Sequence, residues 1–280
     1  MLDKLVEEYS IQITRRTLER DFRLLDTYFG IQVLYNRKSN SYTISEEDDE
    51  QVASFLQFTG RIYLGDLLKE GLENFAELRK SVRLEEDADF EGLALIAPLL
   101  IAIKNQLSVR FMHENYSKQT HTKYHITPLQ LREYRRRWYV VGVPEGEDRI
   151  KTFGLARMSK LQSQTISKID ASQFEQQLKK FDNIIGLNYD AHERKELIEL
   201  AVTARQYRYM HSLPLHASQG EGERLPDGRF KLSLLLIPNY ELKMELLSMG
   251  DQIEVLSPKT LRDDIRNTLH QTLKQYNHER

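Results

Sequence analysis

The feature that most restricts the fold of this chain is a series of four strand-like segments between residues 107 and 158. They read LSVRFMH, KYHITPLQL, RRRWYVVGV and IKTFGLARM, and short turn-like stretches separate them. In the third segment Tyr139, Val141 and Val143 share one face, while Trp138 and Val140 take the other. Four short strands at this spacing predict a small, strongly bent sheet or barrel.

A basic helix followed by a hairpin is predicted near the start of the chain. From Leu18, apolar residues recur at i, i+4, i+7 and i+11, which gives one apolar face of a helix. Thr14 is suited to the N-cap and Gly30 to the C′ position, so the helix is expected over residues 15–29. The alternating stretch IQVLY, the polar turn NRKSN and the segment SYTI then predict a hairpin over residues 31–44.

This helix and hairpin predict a DNA-binding unit. The short segment LDKLVEEY precedes the basic helix and is read as the earlier helix of a helix-turn-helix, with the hairpin as a wing. The exposed first turn of a recognition helix offers side chains to base edges and free amides to phosphates. The alternative is a solvated outer face, on which Arg20 and Asp21 form an ion pair. The candidate DNA-contacting residues are Arg15, Arg16, Thr17, Arg20, Arg23, Arg37 and Lys38.

Charge is segregated along the sequence although the net charge is only −2. Six basic residues against three acids lie between Thr14 and Lys38, and eight against two lie between Lys104 and Arg137, with acidic stretches between these blocks. Two separate basic surfaces are therefore expected. The longest apolar run, residues 93–103, is too short to span a bilayer and predicts a buried helix. With no cysteine and no recognisable leader, a cytoplasmic protein is expected.

The C-terminal part is predicted to be a compact α+β domain. Two strands are expected over residues 197–206 and 230–237, joined by a long loop. A helix closed by Gly250, a strand over IEVLSP and a final helix capped by Thr260 follow. Alternation of strands and helices is typical of this fold class.

Enzymatic and metal-dependent chemistry is not indicated. His113, His121 and His125 are candidate metal ligands, but His121 and His125 would lie about 13 Å apart on an extended strand, so one metal ion cannot bridge them. Ser218, His216 and Asp227 contain the residue types of a hydrolase triad, but no strand-to-helix elbow surrounds the serine. We therefore expect no metal, no cofactor and no enzyme activity, and an enzyme acting on nucleotides is the least favoured class.

Two regions resemble the WYL-domain transcriptional regulators. RRTLERDFRLL and FGIQVLYNRKSNSYTI are similar to that family's winged helix-turn-helix, and ITPLQL, RRRWYVVGV and IKTFGLARM are similar to its WYL domain. The eponymous tripeptide is Trp138, Tyr139 and Val140. LPLHASQ, ELKMELLSMG and EVLSPKTLRDDI also resemble the extension that follows the WYL domain. In the family a full helix precedes the LDKL segment, so we expect the DNA-binding unit here to lack its first helix.

The resemblance implies an SH3-like, Sm-type barrel that senses a nucleic acid or a nucleotide-type molecule. A basic groove with exposed aromatic rings can hold phosphates and stack bases. The resemblance supports Tyr139 and Arg157 most directly. Where the family's last strand carries an arginine, this chain has Lys151, a point charge without a bidentate fork. The full set of candidate effector-binding residues is Tyr116, Arg132, Arg137, Tyr139, Lys151 and Arg157.

The sequence therefore predicts a multidomain α+β protein. The expected domains are an N-terminally incomplete winged helix-turn-helix (1–45), a helical acidic linker (46–92), the WYL barrel (93–168) and the C-terminal α+β domain (190–280). The expected function is a homodimeric, effector-responsive regulator that binds duplex DNA. The alternative is a protein that binds single-stranded nucleic acid through the barrel without operator binding.

Overall fold

The computed structural model of the protein describes residues 12–45, 51–52, 55–56, 59–60, 92–116, 119–188 and 194–277. The chain divides into two compact units, Met1–Glu86 and Asp87–Arg280. The predicted LDKLVEEY helix lies outside the described residues, as does almost all of the predicted linker over residues 46–92.

The first unit contains the predicted helix and hairpin. Helix α1 runs from Arg15 to Phe29. The Thr14 side chain accepts a hydrogen bond from the Thr17 amide, and Gly30 adopts the left-handed conformation at φ 67°. Strands β1 (Val33–Asn36) and β2 (Ser41–Ile44) pair antiparallel. The helix, both of its caps and the hairpin are therefore confirmed.

The second unit begins with a helix packed on a five-stranded antiparallel sheet. A 3₁₀ turn (Leu93–Leu95) leads into α2 (Ile96–Lys104), whose Leu99 and Ala102 are buried. The prediction of a helix is confirmed, but only one face of it is buried because Leu100 and Ile101 are exposed.

The sheet contains β3 (Leu107–Asn115), β4 (Thr120–Tyr134), β5 (Arg137–Pro144), β6 (Lys151–Gly154) and β7 (Met158–Ile166). The strand order is β6-β5-β4-β3-β7. The fourth predicted strand was wrong in extent: Leu155–Arg157 form a 3₁₀ turn that divides IKTFGLARM between β6 and β7. Register shifts in the β3–β7 and β4–β5 pairs bend the sheet.

One apolar core fills the concave side of this sheet. Phe153 from the edge strand β6 lies in the same cluster as Val140 of β5, Phe111 of β3 and Met158 of β7. The ring centroids of Phe111 on β3 and Phe153 on β6 lie 5.2 Å apart although two strands separate β3 from β6, so the sheet curls around this core. Trp138 also packs against this cluster, which confirms its predicted face.

The opposite face of β5 is covered by a connecting segment over residues 171–188. The connector consists of a 3₁₀ turn (Ala171–Phe174), helix α3 (Glu175–Lys179) and a second 3₁₀ turn (Lys180–Asn183), followed by an irregular stretch. Val141 packs with the connector residues Phe181 and Ile184 and with Ile237, and Tyr139 borders this second cluster. The connector thus joins the barrel to the C-terminal domain.

The C-terminal domain is a four-stranded antiparallel sheet with three helices. Its elements are β8 (Glu196–Val202), α4 (Ala204–Ser212), β9 (Glu223–Arg224), β10 (Phe230–Leu236), α5 (Tyr240–Ser248), β11 (Ile253–Ser257) and α6 (Lys259–Asn277). The strand order is β11-β8-β10-β9. Leu200, Leu234, Leu242 and Leu261 are among the residues of its core.

Two sequence predictions for this domain were wrong in detail. The strand expected over residues 197–206 ends at Val202, because Thr203 caps α4 by accepting a hydrogen bond from the Gln206 amide. The final helix already includes Lys259, so Thr260 lies within its first turn and does not cap it. The prediction of a multidomain chain of mixed helices and strands is confirmed. Within the described residues, no helix is long and apolar enough to cross a membrane.

Candidate functional site

A cavity of about 690 Å³ lies in the second unit, between the barrel, the connector and the start of α5. Its volume is within the range of small-molecule and cofactor sites. The residues that line it are His113, Asn115, Thr122, Tyr124, Arg149, Ile150, Lys151, Thr152, Phe153, Arg157, Gln177, Phe181, Leu187, Asn188, Asn239 and Tyr240.

The charges at this cavity are all positive. Arg149, Lys151 and Arg157 contribute cations, and no aspartate or glutamate is found among the described lining residues. Lys151 Nζ lies 2.6 Å from a carboxylate oxygen of Glu147, so part of its charge is compensated. A cavity with this balance attracts anions.

Arg157 is held by its position in the 3₁₀ turn between β6 and β7. Its guanidinium carbon lies 5.4 Å from the centroid of the Tyr116 ring. A Cβ built on Gly154 would lie 3.2 Å from Arg157 Nε and 3.5 Å from Tyr139 Cε1. Tyr139 is also the cross-strand partner of Gly154. The absence of a side chain at Gly154 therefore leaves room for the guanidinium and the Tyr139 ring beside the strand.

His113 brings a neutral imidazole to the cavity wall. Its ring contacts the rings of Phe111, Tyr124 and Phe153 at centroid distances of 6.4, 6.1 and 5.4 Å. Burial, together with the positive charge of Arg157, lowers the pKa of His113 to about 4. His113 is therefore uncharged at neutral pH. It can form a hydrogen bond with a ligand but adds no positive charge to the cavity.

The predicted effector residues are only partly brought together. Lys151 and Arg157 line the cavity and Tyr116 stacks on Arg157, whereas Tyr139 lies beside Gly154 and does not appear among the described lining residues. Arg132 instead lies over the Phe181 ring at 4.3 Å and forms an ion pair with Asp182.

Arg137 begins β5 opposite Tyr134 and does not appear among the described lining residues. Among the lining residues that the sequence analysis missed are His113, Arg149 and those from the connector and α5. His113 was considered only as a metal ligand, and Arg149 lies in a turn without a motif. The connector and α5 residues carry no local signal.

The wall opposite the barrel is fixed to the C-terminal domain by hydrogen bonds. Asn239 Nδ2 donates to the carbonyl oxygens of Ile185 and Asn188 at 2.7 and 2.8 Å. The buried Glu241 accepts from the amides of Leu187 and Asn188 through one oxygen, at 3.2 and 3.1 Å. These bonds fix residues 185–188 against the start of α5.

The candidate DNA-contacting residues lie on α1 and on the hairpin tip. Three of the arginines are engaged locally: Arg15 pairs with Glu19, Arg20 pairs with Asp21, and Arg23 donates to the Glu19 carbonyl. Thr17 bonds to the hydroxyl of Thr14. The remaining candidates, Arg16, Arg37 and Lys38, are exposed.

The residues with hydrolase or metal-ligand chemistry have structural contacts. His216 Nδ1 lies 2.9 Å from Ser218 Oγ, which also accepts from the Leu235 amide, so the serine bridges a loop to β10. Asp227 pairs with Arg229 and does not approach His216. No cluster of three or more potential metal ligands is found in the part of the chain that the structure describes.

Comparison with known families assigns both parts of the second unit. Residues 94–163 match the WYL domain model, and residues 194–273 match the WCX domain model. The chain therefore contains a WYL domain followed by a WCX domain, and the resemblance of these two segments to the WYL-domain regulators is confirmed.

Similarity to solved structures is distant. Proteasome accessory factor B/C (PafBC) of Arthrobacter aurescens is 19% identical with a TM-score of 0.29, and the match covers 99% of this chain and 46% of that one. A CRISPR Cas-related protein is 15% identical with a TM-score of 0.43, over 99% of this chain and 77% of that one. This chain thus spans less than half of the PafBC chain. No match is found among curated proteins.

Proposed function

We propose that this protein is a homodimeric, DNA-binding transcriptional regulator whose WYL-side cavity binds an anionic effector of the nucleic-acid or nucleotide type. The observation that carries the proposal is the cavity itself. Three cations and no described acid surround a volume in which aromatic rings are also present. Phosphates bind cations, and bases stack on rings, so this combination suits a phosphate-bearing ligand with an aromatic base.

The cavity is tested with the Arg157→Ala variant. Anisotropy of a fluorescein-labelled, ten-nucleotide single strand of thymidines measures binding. Loss of a charge-assisted contact of roughly 1.5–3 kcal/mol should weaken affinity about tenfold or more. Arg110→Ala is the matched control, because Arg110 is an exposed arginine on β3 that does not appear among the described lining residues. Equal affinities of wild type and Arg157→Ala would contradict the assignment of the cavity.

The DNA-binding half of the proposal rests on α1 and the hairpin. A double variant, Arg16→Ala with Arg37→Ala, removes one exposed cation from each. If both contact phosphates, affinity for duplex DNA should fall and the salt slope should decrease by roughly 2. The control is Arg205→Ala with Arg208→Ala, which removes two exposed arginines from α4 of the WCX domain. Gel shifts with a random duplex pool at several salt concentrations measure both quantities.

A second candidate function is binding of single strands without operator DNA. It is favoured by the local pairing of Arg15 and Arg20 with acids of the same helix, which reduces the charge available for phosphates. If the wild type binds the single-stranded oligonucleotide but gives no gel shift with duplex DNA, the result favours this second function.

If the protein is a regulator, we expect the effector to shift it between two dimer geometries that bind DNA differently.

A further inference from the structure

The cavity has walls from two domains. Lys151, Phe153 and Arg157 belong to the WYL barrel, whereas Asn239 and Tyr240 belong to the WCX domain. The connector also contributes to the lining, through Gln177, Phe181, Leu187 and Asn188. A ligand that fills the cavity therefore touches both domains.

The WCX side of the cavity is fixed before any ligand binds. Besides the bonds from Asn239 and Glu241, the Ile237 amide donates to the Asn183 carbonyl at 2.7 Å. His216 Nε2 lies 2.9 Å from the Asp182 carbonyl oxygen. Four residues of the WCX domain thus bond to five residues of the connector between Asp182 and Asn188. A wall fixed in this way loses little conformational entropy when a ligand binds to it.

The aromatic residues that line the cavity differ in whether a ring face is open. Phe153 is 3% exposed and Phe181 is 4% exposed. Tyr124 is stacked among the rings of Phe111, His113 and Phe153.

Tyr240, in contrast, is 65% exposed, and no ring contact or hydrogen bond of its side chain is found among the described residues. Among the described aromatic lining residues, Tyr240 is therefore the ring most accessible to a base.

We propose that the effector bridges the two domains: its phosphates bind the cations of the barrel, and one of its bases stacks on Tyr240 of the WCX domain. This inference rests on the proposed function and extends it to the WCX domain. It also restricts the ligand class, because inorganic polyphosphate satisfies the cations but supplies no base.

The test compares Tyr240→Ala with Tyr209→Ala. Tyr209 is 60% exposed on α4 of the same domain and does not appear among the described lining residues, so it matches Tyr240 in type and exposure. The probe is the labelled thymidine single strand, and unlabelled tripolyphosphate serves as competitor. Stacking on a tyrosine contributes roughly 1–3 kcal/mol per base, so Tyr240→Ala should weaken the oligonucleotide about tenfold. Tripolyphosphate affinity should stay unchanged, as should both affinities in Tyr209→Ala.

The outcomes separate this inference from the proposed function. If Arg157→Ala loses oligonucleotide binding while Tyr240→Ala retains it, the WCX contact is refuted and the proposed function stands. Equal weakening of oligonucleotide and tripolyphosphate in Tyr240→Ala refutes stacking of a base. If neither variant changes affinity, both the bridging contact and the proposed cavity function are refuted. Tyr240→Phe retains the ring, so recovery of affinity in this variant supports the stacking contact and continued weakness refutes it.

Discussion

Gly186 lies where the connector meets α5, and its replacement by alanine should destabilise the second unit. Gly186 has φ +83°, a conformation that L side chains rarely adopt. A Cβ at this position would lie 2.6 Å from Glu241 Cγ and 2.9 Å from Glu241 Cβ. The Glu241 Cβ is fixed to the helix backbone, so the clash cannot be relieved by rotation of a flexible chain end.

The loss of unfolding free energy in Gly186→Ala has two parts. The left-handed conformation costs an alanine about 1–2 kcal/mol. Displacement of Glu241 strains the bonds to the amides of Leu187 and Asn188, and a buried donor left unsatisfied costs roughly 1–3 kcal/mol. We therefore expect Gly186→Ala to lower the free energy of unfolding by roughly 2–5 kcal/mol.

Gly228→Ala is the matched control for this prediction. Gly228 has φ +87°, but nothing lies within 4 Å of a Cβ built there. It carries the backbone cost alone, about 1–2 kcal/mol. Urea unfolding followed by far-UV circular dichroism measures both variants against the wild type. Equal losses in the two variants would show that contact with Glu241 is not what requires glycine at residue 186.

Three other predictions concern the barrel and α1. Phe153→Ala should lower the free energy of unfolding by about 3–5 kcal/mol, because it opens a cavity in the barrel core. Urea unfolding, followed through the fluorescence of the single tryptophan, Trp138, measures this loss. A loss below about 1 kcal/mol would contradict the core assignment. The pKa of His113 is about 4 in the folded protein and 6.5 in the unfolded chain. Its contribution to the free energy of unfolding is therefore present above pH 6.5 and is lost as the pH falls towards 4. His113→Gln should therefore lose less stability than the wild type between pH 7 and pH 4.5, and equal losses would refute this. Thr14→Ala removes the N-cap of α1 and should cost about 1 kcal/mol, seen as faster hydrogen exchange in its first turn, whereas unchanged exchange would contradict it.

Local signals explain why some elements were predicted correctly. The bounds of α1 follow from Thr14 and Gly30, which act on backbone groups only a few residues away. Helix α4 was missed although the same kind of signal was present, because Thr203 followed a strongly apolar strand and was read as its continuation. The 3₁₀ turn at Leu155–Arg157 interrupts a segment whose alternation alone predicts one strand.

The residues of the candidate site also fall into two groups: those that a local sequence signal indicates and those that only the fold brings to the cavity. Lys151 and Arg157 were found because they lie in the segment that resembles the family. Arg132 was placed in the same group, yet the structure directs it to Phe181 and Asp182 of the connector. Asn239 and Tyr240 lie more than eighty residues beyond Arg157, and nothing in their own segment indicates a ligand.

Local sequence signals predicted most of the elements, the family resemblance and the positive charge at the barrel, because helix caps, apolar alternation and motif residues act over short stretches of chain. Which of these residues share a cavity depends on how distant segments pack in the fold. Packing of the connector between Val141 and Ile237, together with the hydrogen bonds from Asn239 and Glu241, brings the start of α5 to the barrel. Contacts of this kind depend on burial of surfaces from distant segments, and a local pattern carries no record of its distant partner.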